Sequence, residues 1–77
     1  MTSFENVTRL ILKYPKWHFN LSYCSICDWM VDLRKRGYND DGSDLVVFSD
    51  QDSDLDMLMA KCEIALKEWL MDNNGGY

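Results

Sequence analysis

The chain has 77 residues, a net charge of −5 and a hydrophobic fraction of 47%. This length accommodates one small domain, and the apolar fraction argues against intrinsic disorder. Three cysteines are an odd number, which argues against a closed disulfide framework. The sequence has no apolar run of membrane-spanning length and no basic-then-apolar leader at its start. We therefore expect a cytoplasmic protein that does not enter a membrane.

The charge is distributed unevenly along the chain. Residues 1–37 carry six Lys or Arg against three Asp or Glu, whereas residues 38–77 carry two against ten. Seven aspartates and no basic residue lie between Asp40 and Asp56. A nucleic-acid-binding protein needs a clustered basic face, so we do not expect direct nucleic-acid binding.

A helix and two strands are predicted in the first half of the chain. Thr2 and Glu5 match a capping box, and apolar residues follow at helical spacing. Pro15 should end this helix, because the residue before a proline is disfavoured in helical conformation. Residues 16–24 and residues 28–36 each alternate apolar with polar side chains, which is typical of half-buried strands, and residues 25–27 join them.

The second half predicts a turn, a strand and a long helix. Residues 37–43 carry turn chemistry, and residues 45–48 form an apolar run that we interpret as a third strand, with a slight preference for Leu45 and Val47 inside. Residues 49–52 should lead into a helix over 53–72. Ser53 is the predicted cap of that helix, and negative charges such as Asp54 are favoured near its N-terminus by the helix dipole.

The predicted element order, α-β-β-β-α, with short connections indicates an α+β domain of two layers over residues 1–77. A three-stranded antiparallel sheet would carry both helices on its one apolar face, and residues 73–77 would form a flexible tail. The predicted core contains apolar residues of both helices and of the first two strands: Val7, Leu10, Ile11, Trp17, Phe19, Leu21, Trp29, Val31, Leu33, Leu55, Leu58, Cys62, Ala65 and Trp69.

The cysteines raise the question of a metal. Cys24 and Cys27 form a CxxC pair, which could make half of a zinc site completed by Cys62 and His18. The opposing interpretation is two small turn residues plus one buried thiol, because Cys62 lies on the apolar stripe of the long helix. We expect no metal and no other cofactor, and we expect a redox role for the pair even less than zinc, since redox thiolates usually lie at a helix N-terminus.

The sequence predicts no catalysis. His18 is the single histidine, and it would need a nucleophile such as Ser22, Cys24 or Cys27 and an orienting acid close by. On a strand His18 and Ser22 share a face, but nothing resembling an oxyanion hole accompanies them. We therefore expect a protein that is not an enzyme.

Two kinds of protein partner surface are predicted. Met30, with Val46 and Phe48 if those two side chains point outward, would form an exposed apolar patch, and such patches mark interaction surfaces. The leading hypothesis is thus a small protein-interaction module. A stable homodimer burying Met30 and Phe48, with no other partner, would instead make self-association the role of this face. The alternative is an acidic inhibitor of a DNA- or RNA-binding protein, in which Asp50, Asp52 and Asp54 imitate a row of phosphates.

Two resemblances follow from these features. The predicted α-β-β-β-α order, with the segment of residues 60–66, resembles the double-stranded RNA-binding domain. That family carries a lysine cluster at the start of its last helix, where this chain has aspartates such as Asp52 and Asp54, so RNA binding through that surface is not implied. The compact acidic chain as a whole is similar to small uncharacterised proteins of bacteriophages and prophages, which would imply a phage-encoded protein.

Overall fold

The computed structural model describes residues 2–14 and 16–77. Within these residues the chain forms helix α1 (Ser3–Lys13), strands β1 (Trp17–Cys24), β2 (Asp28–Lys35) and β3 (Leu45–Asp52), and helix α2 (Leu55–Asn74). The strands form one antiparallel sheet in the order β1-β2-β3. The predicted α+β class and element order are confirmed.

Helix α1 begins as its sequence predicts. Thr2 is the N-cap, and its hydroxyl accepts a hydrogen bond of 3.2 Å from the backbone N–H of Glu5, which satisfies one of the unpaired amides of the first turn. The helix ends at Lys13, with Tyr14 in extended conformation. The prediction that Pro15 ends the helix falls on a residue outside the described ranges.

The sheet has an inner and an outer face. Cross-strand partners place the alternating apolar residues of β1 opposite those of β2, as in the pairs Phe19–Leu33 and Leu21–Val31. Side chains of paired residues project from the same face, so these four form the inner face. Both helices cover it, because fully buried residues of α1 and α2 join Val31 and Leu33 in one cluster: Val7, Leu10, Leu58, Met59, Cys62, Leu66 and Leu70.

The predicted core is largely confirmed. The tryptophans are half-buried at its margin, where Trp17 and Trp69 pack edge to face at 5.2 Å between ring centroids. Leu70 was not among the predicted core residues, yet it is fully buried. The apolar stripe of α2 therefore continues one turn beyond Leu66 along the helix.

Two predicted boundaries are wrong. Strand β3 does not stop at Phe48 but continues to Asp52, because residues 49–52 pair with residues 29–32 of β2. The N-cap of α2 is Asp54 rather than Ser53: the Asp54 carboxylate accepts a hydrogen bond of 3.2 Å from the backbone N–H of Met57.

Helix α2 also runs further than predicted. It includes Asn73 and Asn74, the first two residues of the predicted tail, and ends at Gly75 with φ 73°. That left-handed conformation is one that glycine adopts without strain. Asn73 is fixed by two hydrogen bonds, donating to the Trp69 carbonyl at 2.9 Å and accepting from the Tyr38 hydroxyl at 3.2 Å.

Candidate functional site

The face of the sheet turned away from the helices is open to solvent. Its cross-strand rows place His18, Arg34 and Val46 side by side, and Ser22, Met30 and Gln51 in a second row. The apolar members are well exposed, Met30 at 42% and Val46 at 49%. This outer sheet face is therefore mostly polar, with two separate apolar side chains rather than a continuous apolar patch.

A charge pair lies between those two apolar side chains. The Arg34 Nε donates to both oxygens of Asp32, at 3.1 and 2.9 Å, and this hydrogen bond raises the pKa of Arg34. A shallow groove runs over the pair, lined by Asn20, Ser22, Met30, Asp32, Arg34 and Ser49. Since the pair is exposed on both sides, its net contribution to stability is small.

The structure separates the predicted partner-binding residues. Phe48 pairs with Leu33 and packs against the core on the inner face, whereas Met30 lies on the outer face. A bulge between Leu33 and Arg34 of the β2–β3 ladder places Val47 out of register, so that Leu45, Val47 and Phe48 are all shielded while Val46 is exposed. Met30 and Phe48 therefore do not form one patch.

The aspartates from the end of β3 to the start of α2 mostly accept hydrogen bonds from backbone amides of the chain itself. Asp52 accepts from the Asp54 amide at 3.0 Å and lies 3.8 Å from the Lys61 ammonium. Asp54 caps α2, and Asp50 accepts from the Gln51 amide at 2.8 Å. These contacts explain the aspartates as turn and cap residues without reference to a ligand.

Two further aspartates hold the loop before β3. Asp41 accepts from the Ser43 amide at 2.9 Å and from the Ser43 hydroxyl at 2.6 Å, and these bonds lower the pKa of Asp41. Asp44 accepts from the amide of Gly37 at 3.0 Å. The carboxylates of this loop therefore point toward their own backbone amides, which is a poor arrangement for imitating a row of phosphates.

Helix α2 carries a second apolar stripe on the side opposite the core. Met57, Ile64 and Met71 follow at intervals of seven residues and are exposed at 51%, 59% and 55%. Seven residues are nearly two complete helical turns, so the three side chains stand in one line. We call Met57, Ile64 and Met71 the α2 stripe.

The α2 stripe has charged borders. Ile64 and Met71 line a shallow depression with Lys67, Glu68, Asp72 and Tyr77. The Lys67 ammonium contacts the Glu63 carboxylate at 2.8 Å and lies 5.3 Å from the centre of the Tyr77 ring. An apolar centre with a charged rim is the usual anatomy of a protein-binding surface.

Sequence reasoning missed the α2 stripe, although a signal for it was present. Spacings of three and four identify the core stripe of α2, but they do not include the apolar residues on the other side of the helix. The interval of seven that joins Met57, Ile64 and Met71 is visible in the sequence. A helix that is apolar on two sides usually has both sides covered.

The residues considered for zinc are dispersed. Cys62 is a residue of α2 and is fully buried in the core on the inner side of the sheet. His18 lies beside Arg34 on the outer face of the sheet. Burial raises the pKa of Cys62 to about 12. Across residues 2–14 and 16–77, no group of three or more His, Cys, Asp or Glu side chains is placed to hold a metal ion.

His18 has no nucleophile within reach along its strand. Ser22 and Cys24 share its face, but they follow it by four and six residues, which corresponds to about 13 and 20 Å along a strand. General-base activation of a hydroxyl or thiol requires hydrogen-bond distance. Neither residue can therefore be activated by His18 in this arrangement.

Comparison of the chain with protein families, with characterised proteins and with solved structures gives no match. Neither helix of the described chain is long and apolar enough to cross a membrane.

Proposed function

We propose that this protein is a small, non-catalytic protein-interaction module that binds an amphipathic helix of a partner protein along the α2 stripe. The observation that carries the proposal is the exposure of Met57, Ile64 and Met71 in one line on the solvent side of α2. Large apolar side chains grouped on a surface are a common mark of partner binding.

The spacing of the stripe favours a helical partner. Intervals of seven residues match the repeat by which two helices pack side by side. From Met57 to Met71 the stripe extends about 21 Å at the helical rise per residue, which is enough for three layers of contact. Lys61 and Glu68 border it, and such flanking charges select the partner and its direction.

Two other surfaces are weaker candidates for the same role. The outer sheet face offers Met30 and Val46, but Asp32 lies in the row between them and is paired with Arg34, which lies beside Val46. An acidic inhibitor that imitates nucleic acid would use Asp50, Asp52 and Asp54, of which Asp52 and Asp54 already bond to the N-terminal segment of α2. The α2 stripe instead presents three apolar side chains that are each more than half exposed.

The test compares single substitutions that introduce a charged side chain on each candidate surface. The tagged full-length protein is used to capture partners from cells that express it naturally, and each captured protein is then purified and titrated directly. Ile64→Lys should reduce affinity at least tenfold, because it places a charge at the centre of an apolar interface, where removing one central contact typically costs about 2 kcal/mol. Met30→Lys on the outer sheet face is the matched control and should leave affinity unchanged.

Other outcomes would identify a different function. If Met30→Lys abolishes binding and Ile64→Lys does not, the outer sheet face is the interface. If affinity falls steeply with salt and with Asp50→Asn, the acidic inhibitor is correct, since Asp50 does not cap α2. If sedimentation shows a stable dimer that Ile64→Lys dissociates, the α2 stripe serves self-association instead of a partner.

A further inference from the structure

The turn that joins β1 to β2 holds two thiols next to each other. Cys24 is the last residue of β1, and Cys27 immediately precedes β2. The Cys27 amide donates to the Cys24 carbonyl at 3.1 Å, which closes a four-residue turn. Both are free thiols, Cys24 exposed and Cys27 half-buried.

This geometry is compatible with a disulfide. The Cα atoms at the ends of a four-residue turn lie less than about 7 Å apart, and a disulfide requires about 4.4–6.8 Å. The antiparallel pairing of Cys24 with Asp28 fixes the ends of the turn. The backbone spacing of the turn is therefore within the range of a disulfide while the sheet pairing is kept.

The two thiols differ in reactivity. Cys24 is exposed, and hydrogen bonds from the backbone amides of Ile26 and Cys27 lower its pKa. Cys27 is half-buried, and the neighbouring Cys24 charge, with a smaller contribution from Asp28, raises its pKa. A thiolate is the attacking species in disulfide exchange, so Cys24 is the attacking residue and Cys27 the resolving one.

We propose that Cys24 and Cys27 are a reversible dithiol–disulfide site at the tip of the β1–β2 hairpin, oxidised by a low-molecular-weight thiol disulfide. The Cys24 thiolate attacks one sulfur of the small disulfide, a mixed disulfide forms, and one small thiolate leaves and takes up the proton that Cys24 released. Cys27 then loses its proton to solvent and attacks the Cys24 sulfur. The second small thiolate leaves and is protonated, so two electrons pass from the protein dithiol to the small disulfide.

Cys62 provides an internal control. It is fully buried in the core, and burial raises its pKa to about 12. Its thiol is therefore neutral and enclosed while the protein is folded, and it should react with neither oxidant nor alkylating agent. Cys62 should therefore remain a reduced thiol throughout, and the number of thiols lost at Cys24 and Cys27 can be measured relative to it.

The test uses the native full-length protein in glutathione buffers of stepped oxidised-to-reduced ratio. Samples are quenched in acid, unfolded and alkylated, and the intact mass is measured. The fully reduced protein should take up three alkyl groups, and the oxidised protein only one, located on Cys62 by peptide mapping. The loss of two sites should reverse when the buffer is made reducing again.

Single variants distinguish the two roles. Cys27→Ser should accumulate a mixed disulfide with glutathione on Cys24, because the resolving thiol is missing. Cys24→Ser should react severalfold more slowly than Cys27→Ser, because Cys24 is exposed and backbone hydrogen bonds lower its pKa, whereas Cys27 is half-buried. Circular dichroism checks that both variants remain folded.

Two results would overturn the proposal. One is a wild-type protein that keeps three alkylatable thiols in buffers that oxidise a free CxxC peptide. The other is a wild-type protein that retains glutathione on Cys24 or Cys27 without forming the internal bond, which would show that the turn holds the sulfurs apart.

Discussion

The half-buried side chain of Trp69 connects α2 to strands β1 and β2 and to the loop that follows β2. Its ring contacts Trp17 at 5.2 Å and Tyr38 at 5.7 Å between centroids, and the Lys35 ammonium lies 5.8 Å from it. Burial lowers the pKa of Lys35, and the nearby Lys16 charge lowers it further. The ring is thus an anchor for residues from β1, β2 and the loop that follows β2.

Trp69→Ala should therefore destabilise the protein by about 3 kcal/mol, at the low end for a large aromatic because the ring is not fully enclosed. That loss is a large part of the stability expected for so small a domain. Urea denaturation followed by circular dichroism measures it. Met71→Ala, an exposed change two residues away on the solvent side of α2, should alter stability by less than about 0.5 kcal/mol. Equal unfolding midpoints for Trp69→Ala and wild type would contradict the anchoring role.

At the scale of elements, the two helices are joined by a polar bridge as well as by apolar packing. The Asn6 amide of α1 donates to Glu63 Oε2 of α2 at 2.9 Å, and the Lys67 ammonium contacts the same oxygen at 2.8 Å. The Lys67 hydrogen bond, assisted by smaller ones from Ser3 and Asn6, lowers the pKa of Glu63. The folded protein thus favours the ionised carboxylate over the protonated one.

The sign of the resulting pH dependence follows from that lowered pKa. The contribution of the Glu63 carboxylate to the free energy of unfolding is complete above the ordinary glutamate pKa of 4.5. It is lost as the pH falls through the lower pKa that Glu63 has in the folded protein. At pH 7 we expect Glu63→Gln to be less stable than wild type by about 1 kcal/mol. Urea denaturation at pH 7, 5, 4 and 3 should show the difference narrowing at the acid end. A difference that stays constant over this range would show that Glu63 acts by packing alone.

The sequence was sufficient for some elements and insufficient for others, for physical reasons. Strict alternation in β1 and β2 located both strands and their inner faces, because a half-buried strand must alternate. The continuous apolar run of β3 does not alternate, and the bulge at Val47 interrupts its register, so no periodicity could assign its faces. Residues 49–52 are polar, and only their pairing with β2 makes them a strand.

The candidate site was less predictable than the fold. Its position depends on which apolar side chains remain uncovered, and that is a property of packing between elements. A preference for Leu45 and Val47 inside predicts Val46 and Phe48 together on the outer face, but the bulge places the two on opposite faces. The interval of seven in the α2 stripe is present in the sequence, but the exposure of these side chains follows from the packing of Leu58, Cys62 and Leu66 in the core.

At the scale of the whole molecule, the two layers make a thin body of 36 × 30 × 17 Å. Both helices lie on one face of the sheet, so the core is a single slab between sheet and helices. Each broad side of the slab then presents an outer surface: the sheet with Met30 and Val46 on one side, and α2 with its stripe on the other. A partner that binds the α2 stripe would leave the outer sheet face and the hairpin thiols open to solvent.

The same layering determines what a metal could do for stability. The four residues considered for zinc are divided by the sheet, with Cys62 in the slab, His18 on the outer face, and Cys24 and Cys27 at the hairpin tip. A structural zinc ion would need them within bonding distance of one point. The folded state is held by the apolar slab instead, and we expect its stability to be independent of metal.

This expectation is tested by thermal unfolding of the purified wild-type protein with and without a strong chelator, together with measurement of its zinc content. The melting temperature should be the same in both conditions, and a Cys24→Ser/Cys27→Ser double variant should respond to the chelator as wild type does. Proteins that depend on structural zinc unfold when it is removed, because metal binding supplies much of their folding free energy. One equivalent of bound zinc, with unfolding on chelation, would require the sheet to open so that Cys62 and His18 could meet the cysteine pair.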